Sequence, residues 1–226
     1  MNNFMMKMIP VALSEKFPFR CRRCGACCRH VRKSVPLESL DAFRIARFLR
    51  DRGDDIQDIN MVFTAYAYPV ILHGSGYSAY MLKTVGKEDA CIFLKNNQCT
   101  IHPAKPKACR TYPVSVGPDG HGAYEQFISM EQTHHFEGTE ISVEKWLQGR
   151  CSRRDYKCMD MEFGSVAEIA CLLEAVPQSQ KKKAIFDFLY YKYWNFNLDL
   201  PFMKQFRDNH QKLLGLLKGM AQESDR

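Results

Sequence analysis

Phe19-Arg-Cys21-Arg-Arg-Cys24-Gly-Ala-Cys27-Cys28 carries the densest chemistry in the chain. Two Cys-x-x-Cys steps share Cys24, and Cys28 follows directly. A loop with Gly25 and Ala26 inside it folds tightly enough to turn several thiolates toward one small volume. The Cys-x2-Cys-x2-Cys run matches part of a bacterial ferredoxin motif, but the fourth Cys followed by Pro is missing, so a further ligand must come from elsewhere. Cys91, Cys99, His102 and Cys109 are the candidates, in Cys91-x7-Cys99-x2-His102-Pro103 and Cys109-Arg110-Thr-Tyr112-Pro113.

Two metals suit these ligands. Zinc takes four tetrahedral thiolate or imidazole ligands, and Cys21, Cys24, Cys99 and His102 would supply them. That choice leaves Cys27, Cys28 and Cys109 unused. A 4Fe-4S cluster takes four thiolates, for which Cys21, Cys24, Cys27 and Cys109 suffice. The thiols outnumber either set, so two sites are open. Buried thiols acting as small hydrophobes are the alternative, strongest for Cys171 in an apolar helix and for Cys91 beside Ile92, Phe93 and Leu94.

These ordered motifs resemble the YkgJ-like cysteine-cluster family, described as zinc- or iron-chelating, over roughly residues 15–150. The flagellin lysine N-methylases are similar in the cysteine cluster. That resemblance implies an iron–sulfur cluster and, through it, S-adenosylmethionine-dependent chemistry on a protein substrate. The family often carries a later Cys followed by Pro-Gly, before the final helix of the domain, here around Ile141–Leu147. This chain instead has Thr133-His134-His135-Phe136-Glu-Gly138, so His134 or His135 is expected at the metal. Cys151 and Cys158 are further candidates.

The elements that position these residues follow from caps and periodicity. Ser34 and Pro36 open a helix that ends near Gly53, and a second apolar segment runs from near Ile56 to before Pro69. Tyr77–Val85 reads as a strand. Cys91–Leu94 and Cys99–Ile101 read as a β-hairpin around Asn96-Asn97. Ser165-Val-Ala-Glu168 matches a capping box, with Pro177 ending that helix. Ser179 starts the next, through Trp194, and Phe202 to Met220 forms the last. The expected class is α+β, mostly helical, with a small antiparallel hairpin or sheet. A cysteine-cluster domain spans 15–160, and a helical extension spans 161–226.

Composition narrows the function. The chain has 226 residues, 46% hydrophobic and 25% charged, with net charge +7. It is long enough for a real core and too apolar for global disorder. Met1–Leu13 lacks the apolar run of a secretory leader, so a reducing cytoplasm is expected, where ten cysteines point to metal more than to disulfides. The longest stretch without Asp, Glu, Lys or Arg, Ile59–Leu82, is broken by Pro69, Gly74 and Gly76, so no membrane span is expected.

Arg20, Arg22, Arg23, Arg29, Arg32 and Lys33 surround the cysteines. Cations there favour ionised thiolates, and binding of nucleic acid is the alternative reading. Tyr190, Tyr191, Tyr193, Trp194 and Phe196 read as core, with a base-stacking face as the alternative. The sequence holds no phosphate loop, no His-Glu-x-x-His, no Rossmann glycine fingerprint and no Cys-x3-Cys-x2-Cys. Three functions remain: a redox or sensing metal-cluster protein, a methyltransferase-like enzyme, or a zinc-stabilised module that binds nucleic acid or protein.

Overall fold

The structure is a computed structural model that describes residues 8–118 and 124–222. Met1–Lys7, part of the segment on which the leader reading rests, lie outside the described residues. The fold is α+β, with helix predominant and small antiparallel sheets. No helix among the described residues is long and apolar enough to cross a membrane.

The chain forms two compact units, each assembled from two separate stretches. One joins Met1–Val35 to Thr84–Gly164, and the other joins Pro36–Lys83 to Ser165–Arg226.

In the first unit, Tyr124–Ser129 is the central strand of a three-stranded antiparallel sheet, flanked by Met8–Pro10 and Val114–Pro118. Lys16–Pro18 pairs with Glu140–Ser142, which sets Phe17 opposite Ile141. The Ser142 hydroxyl accepts from the Lys145 N–H and opens the helix Val143–Gln148. Without such a cap, the first amides of a helix have no partner. Phe17, Val114, Ile128, Val143, Trp146 and Leu147 form the core beneath these elements. Each such side chain contributes about 1.5–3 kcal/mol on burial.

The expected hairpin forms, with a shorter register than the sequence suggested. Leu94–Lys95 pairs with Gln98–Cys99 around Asn96 and Asn97, whose φ values of 49° and 61° are those of a type I′ turn. Asn tolerates that left-handed backbone better than other residues with a side chain. Cys91 pairs with Thr84 instead, in a second short ladder.

The helix expected to begin at Ser165 begins at Arg153 and runs to Ala175. Ser152 and Asp155 form the capping box that starts it. The Ser152 hydroxyl accepts from the Asp155 N–H at 3.3 Å, and the Asp155 carboxylate accepts from the Ser152 N–H at 2.8 Å. Ser165 is a buried position within the helix. Cys171, expected in the core, is exposed.

In the second unit, Asp58 caps the helix Ile59–Tyr66, and the helix leads into the hairpin Ala67–Ile71 with Ser78–Leu82. The helix Ser39–Asp51 buries Leu40, Phe43, Ile45, Ala46 and Leu49. Phe202, Phe206, Leu213, Leu217 and Met220 are the buried face of Phe202–Gln222, at the spacing of three to four that a single helical stripe requires. The aromatic stretch is partly core: Tyr193 and Phe196 are buried, Tyr191 and Trp194 half-buried, and Tyr190 exposed. The helix Lys181–Leu189 widens into a π-helical turn at Tyr190–Trp194, where Tyr193 is 1% exposed. Its hydroxyl donates to the Ser78 carbonyl, and its ring packs on Phe63 and Tyr80.

Candidate metal centre

All candidate ligands belong to the first unit. Cys27 and Cys28 lie on the 3₁₀ turn Ala26–Cys28. Cys109 lies on the helix Lys107–Thr111, and His134 and His135 lie on the 3₁₀ turn Thr133–His135.

Backbone bonds from His30 to Glu88 and from Val31 to Asp89 tie the end of the cysteine loop to the segment that carries Cys91. Arg29 clamps the loop to the hairpin. Its guanidinium donates to the Gly25 carbonyl, to Asn97 Oδ1 at 2.5 Å and to Glu88 Oε2 at 3.1 Å. This arginine is therefore a structural brace for the loop.

Gly25 opens the Ala26–Cys28 turn with φ +75°, and a Cβ there would stand 2.9 Å from the Asn97 carbonyl oxygen. A left-handed backbone costs an L-residue about 1–2 kcal/mol before any clash. Gly25→Ala is therefore expected to lower the melting temperature and push the loop off the hairpin. Unchanged melting and metal content in that variant would contradict this packing.

Five thiols interact around Cys27. Cys28 donates to Cys27, and this bond holds the Cys27 thiol down at about 7 against its burial, with help from the Lys105 ammonium. Cys28 is raised by the same bond, then by burial, and by the charges of Cys27, Cys109 and Cys91. Burial pushes Cys91 up to about 11, Cys99 upward and Cys109 well upward. Cys91 feels the charges of Cys99 and Cys27, and Cys109 those of Cys91, Cys27 and Cys99. Two sulfurs already hold backbone donors: the Phe93 N–H on Cys91 and the Ile101 N–H on Cys99. Such N–H···S bonds pre-orient a thiolate and tune a metal bound to it. Each thiolate in this group raises its neighbours, the mutual repulsion that a cation relieves.

Cys24 belongs to a different grouping. Its Sγ lies 3.2 Å from His135 Nε2 and 3.6 Å from His134 Nε2. Cys24, His134 and His135 bring their ligand atoms within 4.8 Å of one another, the one group among the described residues to do so. The Arg20 N–H donates to the His135 carbonyl, and Phe19 packs edge-on against the His135 ring. Burial lowers His135 first, then the charges of His134 and Arg22, the direction that favours the neutral ring.

The remaining candidates lie elsewhere in the unit. Cys21 is exposed and lines an open cleft with Arg20, Arg22, Arg23 and Glu137. His102 is an exposed residue beside Lys105 and Arg23. Cys151 and Cys158 are buried, before and within the helix Arg153–Ala175.

Lys105 escaped the sequence reading. Its ammonium acts on Cys27, Cys99 and Cys109 together. The only hint was its place between Pro103 and Pro106, in a stretch linking Cys99 to Cys109.

The family model CxxCxxCC, titled "Putative zinc- or iron-chelating domain", matches residues 20–139. No curated protein and no solved structure matches the chain.

Proposed function

The chain belongs to the CxxCxxCC family, and from that premise we propose that it is an iron–sulfur protein whose 4Fe-4S cluster is held by thiolates of the group Cys27, Cys28, Cys91, Cys99 and Cys109. The observation that supports the reading is the mutual electrostatic influence of these five thiols, which come from three separated segments of the chain.

The donor set is sulfur only, which suits iron–sulfur chemistry. Four thiolates on one zinc, each at about 2.3 Å, would lie roughly 4 Å from one another. Among the described residues only Cys24, His134 and His135 close to a spacing of that order. Cys27 and Cys28 are in hydrogen-bond contact, but no three of the five thiols close to that spacing, and a cubane, with an iron at each corner, needs its thiolates further apart. A bound cluster supplies one-electron transfer or an electron-poor iron. The protein supplies the sulfurs, the Phe93 and Ile101 amides directed at two of them, and the Lys105 cation beside three. Ten free thiols fit a reducing, cytoplasmic setting.

Anaerobic purification of the full chain, followed by iron, sulfide and zinc analysis, tests the reading. About four irons and four sulfides per chain are expected. One zinc without sulfide would refute it.

A further inference from the structure

We propose that Cys24, His134 and His135 form a second, mononuclear site for a divalent ion of the zinc class, with a fourth position left to solvent or an added anion. The site stands on its own geometry. Only its being second rests on the five-thiol reading above.

The distances are those of a shared ion. A metal about 2.3 Å from sulfur and about 2.05 Å from nitrogen, at a tetrahedral angle, holds the two roughly 3.6 Å apart. The two Cys24–His separations are 3.2 and 3.6 Å, both to Nε2. Two adjacent histidines on one 3₁₀ turn thus present the same ring nitrogen to one sulfur, with ring centroids 4.1 Å apart.

The burial of His135 bears on which ring nitrogen faces Cys24. His135 is 2% exposed, and its Nδ1 has no hydrogen-bond partner. Its polar contact is at Nε2, toward Cys24, where an ion would fix it. Three protein ligands and an open fourth position are the arrangement of reactive rather than purely structural zinc sites. The cleft lined by Arg20, Cys21, Arg22, Arg23 and Glu137 adjoins both ligand segments in the chain, and its arginines favour an anion as the exchangeable ligand.

The test is cobalt(II) titration of the full chain, with iron and sulfide measured on the same samples. One cobalt per chain is expected, with thiolate-to-metal charge transfer and ligand-field bands that shift when azide is added. Loss of a residue that merely supports a ligand costs roughly 10–100-fold in metal affinity, so His134→Ala and His135→Ala should each weaken cobalt binding by more than about 100-fold. Iron and sulfide should stay at the level of the unaltered chain. His134 is exposed, so His134→Ala carries the test even if His135→Ala fails to fold.

Cobalt binding unchanged in His134→Ala would overturn the site, as would iron and sulfide falling in step with cobalt. Bands indifferent to azide would overturn the open position. A chain without iron or sulfide that still loses cobalt in both variants would sink the cluster reading and leave this site standing.

Discussion

Replacing Cys109 by Ser is expected to strip iron and sulfide from the chain to background and to unfold the first unit. Cys109 is half-buried, and its thiol is raised by burial and by the charges of Cys91, Cys27 and Cys99. Metal-binding energy becomes folding energy where the site does not pre-exist in the unfolded chain. Structural zinc in small Cys and His folds contributes roughly 10–16 kcal/mol, at least as much as the 5–15 kcal/mol of net stability usual for a domain. A serine in a shell of thiolates removes that contribution and leaves repelling sulfurs behind. Cys27→Ser should behave alike. Cys28→Ser should be milder, because a hydroxyl still donates to the Cys27 sulfur. Cys171→Ser, at an exposed position of the second unit, should change neither metal content nor melting. Iron retained in Cys109→Ser would remove Cys109 from the shell.

Local chemistry made some of the site legible. Asn96-Asn97 announces its turn because two successive left-handed residues are a local demand that few residue types meet. The histidine pair could be singled out because it stands where the family pattern leads one to expect another cysteine. What brings Cys27 to Cys91, Cys99 and Cys109 is not local. Gly25 backs onto the Asn97 carbonyl, Arg29 reaches 68 residues along the chain to Asn97, and His30 borrows a carbonyl from Glu88. None of these pairings has a period or spacing that a sequence reading could follow.

The capping box at Ser165 misled for a related reason. The Ser-x-x-Glu pattern is common, but it starts a helix only where amides are free. Here the helix that Ser152 and Asp155 open thirteen residues upstream already runs through Ser165, so its amides are bonded within the helix. Cys171 shows the same limit: apolar neighbours in sequence do not determine which face of a long helix a residue occupies.

Asp155→Ala is expected to destabilise the first unit by about 3–5 kcal/mol, because it leaves a largely buried guanidinium without its counter-charge. Arg110 follows Cys109 directly and is the hinge of this region. It donates to Asp155 Oδ1 at 2.6 Å, to the Lys105 carbonyl at 3.0 Å and to the Arg150 carbonyl at 3.4 Å. Asp155 is 4% exposed, and its second oxygen takes the Ser152 N–H and hydroxyl. One ion pair therefore fastens the turn that presents Cys109 to the start of the helix Arg153–Ala175. Asp155→Ala also deletes half of the capping box, which adds about 1 kcal/mol. Desolvation cancels much of the attraction within a buried pair, so removing both charges should cost less than removing one. Arg110→Met with Asp155→Leu is accordingly expected to melt above Asp155→Ala alone. The measurement is a double-mutant cycle by thermal or urea unfolding of the metal-loaded chain, with iron content read in parallel. Single changes costing under about 1 kcal/mol would place the pair among surface bridges of little energetic consequence. Additive costs in the double variant would show that Arg110 and Asp155 act separately. Iron falling with stability in Asp155→Ala, and recovering in the double variant, would tie the position of Cys109 to this pair.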